Sequence, residues 1–338
     1  MSTKKTKTED KTLDQQTEQT PVTAAETAPK TRDLDNLPED KIVRTPLPSK
    51  TLRDMRTQFI RCLNAKYIHT DNDGDYAIEE SKDGKTLYLL FQWTRTAYDW
   101  ISNFDFVAKP YKDMEITWRC HRGFLRVWKS IKPFVKDAVA NPKYTKIYIC
   151  GYSHGAAIAT LAHEYVWFNR PDLRSKENPD GITGYGFGCP RCYFGSILPW
   201  KKMPQELAQR WVRFYPIRNL TDIVTHVPPR IFGFRHVAPV VQLGRTDKWQ
   251  IIDYAPNLPP RVAMHYAPNY LLSLDDGIKE AQELEAYQKE VERANKLAAK
   301  KAASKKTDSG SCSKNTFSGS TALASTSRNL ATLGLLNL

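Results

Sequence analysis

Gly151-Tyr152-Ser153-His154-Gly155 is the stretch of this chain whose residue types and spacing best suit nucleophilic catalysis. A serine with a glycine two residues away on either side fits a sharp turn, where flanking backbones approach with no Cβ atoms between them. Its hydroxyl then stands clear, and a helix starting just after it offers N–H groups and the positive end of a dipole. The chemistry would be acyl transfer. A base removes the serine proton, the oxygen attacks a carbonyl, and fixed donors hold the oxyanion. The five-residue pattern alone is loose and also describes a chance turn, so its weight rests on what flanks it.

Those flanks are the elements that must position the serine. Ile147 to Cys150 is a short β-branched and aromatic run that reads as a buried strand. Ala156 to Tyr165 is a run of helix formers without Gly or Pro. Thr86–Phe91, Gly181–Phe187 and Trp211–Ile217 read as further strands, and Val237–Leu243 as an antiparallel-looking run. Leu52, Met55, Phe59, Ile60 and Leu63 make a helical stripe within Thr51–Ile68. His121-Arg-Gly-Phe124 leads into a helix of about twenty residues that stops before Asn141-Pro142. Helices alternating with short apolar strands predict an α/β fold, a mostly parallel central sheet covered by helices on both faces.

The 338 residues divide unevenly. Residues 1–49 balance acids against bases with almost no aromatics, which predicts a disordered arm. Residues 50–275 hold the folded domain, 276–301 a charged helix with acids first and lysines last, and 302–338 a low-complexity, disordered tail. Neither a secretory leader nor a membrane-spanning run is evident, and six scattered cysteines suit free thiols, so the expected setting is cytoplasmic. Cys189-Pro-Arg-Cys192 has redox or zinc spacing but no second ligand pair. Asp71-Asn-Asp-Gly-Asp75 begins like a calcium loop, yet Lys82 stands where the bidentate Glu belongs, which leaves a polar turn. The net charge of +13 favours an anionic partner such as a membrane surface. No zinc finger, RNA-recognition signature or base-reading helix accompanies it, so no specific nucleic-acid partner is expected. Ala97 to Phe106 concentrates Tyr98, Trp100, Phe104 and Phe106, either as core or as a mobile cover that meets lipid.

Six segments, in order, resemble the class 3 (fungal-type) lipases of the α/β-hydrolase fold. They are Phe91-Gln-Trp-Thr94 with Asp99-Trp-Ile-Ser-Asn-Phe104, His121-Arg-Gly-Phe124, Gly151–Ala156, Gly186-Phe-Gly-Cys-Pro-Arg191, Asn219-Leu-Thr-Asp222 through Pro228-Pro229, and His265-Tyr-Ala-Pro-Asn-Tyr270. The resemblance runs from about Leu87 to Tyr270 and covers neither end. Three departures stand out: Gln92-Trp93 replaces Arg-Gly, Tyr152 replaces the elbow histidine, and His154 replaces a leucine.

Carried over by position, the resemblance implies a triad of Ser153, Asp222 and His265. It implies an oxyanion hole from Thr94 and the backbone N–H of His154, and a lid at Tyr98, Trp100, Phe104 and Phe106. His236 and then His226 compete with His265 as the base, and Asp253 competes with Asp222. The implied activity is hydrolysis of carboxylic esters, acylglycerol or phospholipid, through an acyl-enzyme with no cofactor or metal. The contrasting expectation is a catalytically silent lipid- or protein-binding module on the same fold, for which Gln92-Trp93 speaks.

Overall fold

The computed structural model describes residues 42–44, 47–70, 74–92, 106–112, 117–175, 178–195, 203–244 and 259–308, with backbone alone at 42–44, 260 and 302–308. In chain order the elements are β1 (Ile42–Arg44), α1 (Ser49–Asn64), β2 (Ile68–His69), β3 (Asp75–Glu80), β4 (Thr86–Gln92), β5 (Ala108–Tyr111) and β6 (Trp118–His121). They continue with α2 (Arg122–Ala140), β7 (Lys146–Tyr152), α3 (His154–Asn169), β8 (Ile182–Phe187), β9 (Tyr193–Phe194) and β10 (Phe214–Asn219). Two single-turn helices, Ile223–His226 and Arg230–Phe232, lead to β11 (Phe234–Arg235), β12 (Val240–Leu243), a turn at Pro260–Ala263, and α4 (Ala267–Asp308).

Eight strands form one sheet in the order β1-β12-β10-β8-β7-β4-β3-β2. Every pairing from β1 to β4 is parallel, and β3 and β2 extend that edge antiparallel. The sheet has the expected α/β character. A smaller antiparallel sheet, β11-β9-β6-β5, stands apart from it.

Side-chain alternation sorts the two helix layers. On one face Leu87, Leu89 and Phe91 of β4, Ile147 and Ile149 of β7 and Ile182 of β8 join the apolar core with α2 and α3. On the other face the alternate residues meet α1. Tyr148 and Tyr185 both donate to the Asp54 carboxylate, the Cys150 thiol reaches the Gln58 carbonyl, and Phe187 stacks on Phe59. The helix stripe of α1 buries Leu52, Met55, Phe59 and Cys62 completely. The sheet is therefore packed on both sides, as parallel sheets require.

Two expectations are corrected. The run ending at Leu243 is not antiparallel: β12 pairs parallel with both β10 and β1. After β10 the chain makes a long detour through two single turns and β11, and such a return brings it back to the starting end. Ile42–Arg44, assigned by composition to the disordered arm, pairs with Val240–Gln242 at the sheet edge.

Contacts divide the chain at Ile278. Up to that residue α4 buries Tyr270 and Leu274; beyond it Ala281 is buried as well, and residues 286–301 are exposed. The remainder of the expected arm and tail, residues 1–41 and 309–338, lies outside the described residues.

Candidate active site

β7 runs into α3 through a single residue, Ser153, held at φ 58° and ψ −126°. That is a strained conformation for a residue with a Cβ, and neighbouring contacts must impose it. The two glycines show how. A Cβ on Gly151 would sit 2.2 Å from the Gly155 carbonyl oxygen, and one on Gly155 would sit 2.2 Å from the Phe91 carbonyl oxygen. Strand, helix and the end of β4 thus touch backbone to backbone. The Ser153 N–H donates to the Phe187 carbonyl at 2.8 Å, tying the turn to β8.

His265 lies in the turn before α4, 112 residues from Ser153, and its Nε2 is 2.8 Å from the Ser153 hydroxyl oxygen. Its Nδ1 is 2.9 Å from Oδ2 of Asp222, which follows β10 and is completely buried. A carboxylate only accepts, so Nδ1 carries the ring proton and Nε2 presents its lone pair to the serine. The arrangement can take a proton from the hydroxyl and stabilise the resulting imidazolium.

Asp222 has further partners. Its Oδ1 accepts from the Val224 N–H at 2.9 Å, and its Oδ2 also accepts from the Tyr270 hydroxyl at 2.6 Å. Burial and the neighbouring Asp222 raise the Tyr270 pKa well above its ordinary value, so the phenol stays a neutral donor. Asn219 pins the histidine turn by donating to the Met264 carbonyl at 3.1 Å, and it accepts from Ser273 at 2.7 Å.

Tyr152 stacks on the His265 ring, centroids 5.1 Å apart and planes at 16°, and its hydroxyl donates to the His265 carbonyl. Gly188, at φ 58°, leaves the imidazole its space, since a Cβ there would come within 2.5 Å of the ring. None of Tyr270, Asn219, Tyr152 and Gly188 had been assigned a role from sequence. All four sit inside the segments quoted above, but nothing local in those segments tells which partner each one meets.

The competing residues are used otherwise. His236 is buried with Nε2 3.0 Å from the Thr225 carbonyl, and desolvation lowers its pKa well below the usual value. His226 is exposed. His163 is buried against the Arg210 carbonyl at 3.0 Å, and burial lowers its pKa to about 3. The His154 side chain turns into the core, edge-on to Phe124 with centroids 5.2 Å apart. Burial first, then the charges of His121 and Arg126, lower its pKa to about 3. What His154 presents beside Ser153 is its backbone, as the first residue of α3.

Thr94, Tyr98, Trp100, Phe104 and Asp253 lie outside the described residues. Phe106 is described: it is exposed and stacks on Phe232. Cys189 and Cys192 are buried free thiols, and burial pushes Cys189 up to about 12, which removes the thiolate that redox or zinc chemistry needs.

Residues 88–232 match the family described as Lipase (class 3). The chain is 31% identical to secreted mono- and diacylglycerol lipase 1 of Fusarium solani over 54% of its own length and 49% of the relative. It is 30% identical to a lipase of Rhizopus niveus, over 49% of this chain and 40% of that one. It therefore spans about half the length or less of these curated relatives. Among solved structures, the Rhizomucor miehei lipase propeptide complex is similar at 20% identity, with a TM-score of 0.46, covering 59% of this chain and 69% of that one. The expectation of a cytoplasmic setting is corrected here, because the Fusarium relative is by name a secreted protein.

Proposed function

Residues 88–232 match the class 3 lipase family, and from that premise we propose that the chain hydrolyses carboxylic esters of lipids, with Ser153, His265 and Asp222 as its triad. One observation carries the reading: the unbroken hydrogen-bond chain Asp222–His265–Ser153, at 2.9 and 2.8 Å. The folded unit would span about residues 50–275, with β1 added from the segment before it.

In the first half-reaction the Ser153 oxygen attacks the ester carbonyl carbon as His265 Nε2 takes its proton. Asp222 stabilises the imidazolium through Nδ1–H. The oxyanion meets the N–H of His154 and, by the family resemblance, Thr94. Collapse expels the alcohol, which receives the proton from Nε2 and leaves an acyl-serine. Water then attacks the acyl carbon with His265 again as base, which frees the carboxylic acid and restores the serine hydroxyl.

Acylglycerols are the substrate class favoured by the relatives' names, with phospholipids the second class to test. The Fusarium relative's name also favours work outside the cell. A panel of mono-, di- and triacylglycerols, phospholipids and short soluble esters, run with wild type and Ser153→Ala, tests this. Hydrolysis by wild type alone supports it. Equal inactivity of both proteins, with no labelling of Ser153 by a fluorophosphonate, would leave a binding module instead.

A further inference from the structure

Two surface features away from the hydrogen-bonded Ser153–His265–Asp222 chain lie side by side. The Phe106 and Phe232 rings stack with centroids 4.8 Å apart, yet they remain 41% and 43% exposed, and Ile231 beside them is 77% exposed. Val107 extends this apolar patch, and its carbonyl accepts from the Arg122 N–H at 2.8 Å, which joins the patch to the start of α2. From there Arg122, Arg126 and Lys129 recur at helical spacing along one face of α2. With Lys109 they line a shallow groove of about 610 Å³ floored by Leu125. None of the described residues that line it is a carboxylate.

We propose that this face docks on the surface of an anionic phospholipid bilayer. The apolar patch enters the headgroup boundary while the α2 groove receives the lipid phosphates. Solubility alone needs charges but not an exposed aromatic pair beside them. A free phosphate would engage the groove and leave the apolar patch in water. An anionic bilayer satisfies both features, because partition into it sums buried apolar area and attraction to its charge. Long Lys and Arg side chains also suit an interface, with their stems in the apolar layer and their heads among the phosphates. The net charge of +13 adds long-range attraction of the same sign. The proposal deepens the hydrolytic reading and rests on it for its purpose, though docking itself does not use Ser153.

Co-sedimentation of the full chain carrying Ser153→Ala, which leaves vesicles intact, tests docking apart from chemistry. Binding should be strong on phosphatidylcholine vesicles containing phosphatidylserine, weak without it, and should fall as salt rises. Lys109→Ala/Arg126→Ala/Lys129→Ala should weaken binding at low salt on the order of 100-fold. Ile231→Ser/Phe232→Ser should weaken it on both vesicle types. In the Ser153 background both sets should keep the wild-type rate on a short soluble ester, which shows that the fold and site are intact. Undiminished binding by the triple variant would overturn the proposal. So would full release by millimolar inorganic phosphate, the mark of a free-anion pocket, or full displacement by duplex DNA. Vesicle binding as described, with no ester hydrolysed by wild type, would sink the hydrolytic reading and leave the docking face standing.

Discussion

At Ser153 the backbone itself sets the direction of the side chain. Gly151 meets the Gly155 carbonyl, Gly155 meets the Phe91 carbonyl, and the serine is left at φ 58° with little freedom. At His265 the same precision comes from side chains: Asp222 on one ring nitrogen, Tyr152 stacked on the ring, and Asn219 holding the Met264 carbonyl next door. The first arrangement is steric and local in sequence. The second is a hydrogen-bond network drawn from β7, β10 and α4. Steric control fails all at once, whereas a network loses its members one at a time.

The largest effect should come from the reacting atoms. Ser153→Ala should lose at least ~10⁴-fold in kcat, above about 5 kcal/mol of barrier, with the fold retained. His265→Ala should come close to it, and the double variant should add little. A His265→Ala enzyme near wild-type rate, with His236→Ala inactive, would break the comparison by moving the base to another network.

Gly155→Ala comes next, and its damage should appear in stability rather than in chemistry alone. Its Cβ has backbone, not a flexible side chain, 2.2 Å away, so about 3–5 kcal/mol of unfolding free energy should disappear. Denaturant melts measure it. A variant as stable as wild type would show that the elbow is looser than its contacts imply.

Acid should act through the elbow's own helix. His154 and His163 on α3 are held neutral with pKa values lowered to about 3, against about 6.5 when unfolded. The unfolded chain binds the extra protons, so stability is full above pH ~6.5 and is lost as pH falls towards ~3. At pH 5 each should remove about 2 kcal/mol and the two together about 4 kcal/mol, read from melts across that range. His163→Gln should flatten the slope, and an unchanged slope would place the acid sensitivity elsewhere.

The smallest expected effect belongs to the network. Tyr270→Phe removes one of three hydrogen bonds to the Asp222 carboxylate and should cost about 10-fold in kcat, with KM little changed. A loss as large as that of His265→Ala would mean that the network is as brittle as the elbow.

These two halves also differ in how far the sequence discloses them. The elbow was legible because its determinants lie within five residues, and glycine at both positions has one steric reading. The α/β sheet was legible from the alternation of apolar strands and helices. The base was not legible from residue types alone, since His265, His236 and His226 are chemically alike and only the resemblance ranked them. What separates them is long-range: His236 faces the Thr225 carbonyl, and His265 faces Asp222 and Ser153. Strand direction was equally opaque at β12, because an apolar run of four residues carries no mark of its neighbours' polarity. The pairing of Ile42–Arg44 is set by the open edge of β12, which composition cannot report.

The φ of 58° at Ser153 has a consequence for evolution as well as for geometry. A side chain in that region is held against its own preference, at a cost of order 1–3 kcal/mol, and only glycine would relieve it. Random drift towards Ser153→Gly would therefore yield a chain more robust to heat and without the hydroxyl that the proposed acyl-serine needs. Selection on stability and selection on activity pull this single position in opposite directions, so its occupant records which of the two has been operating.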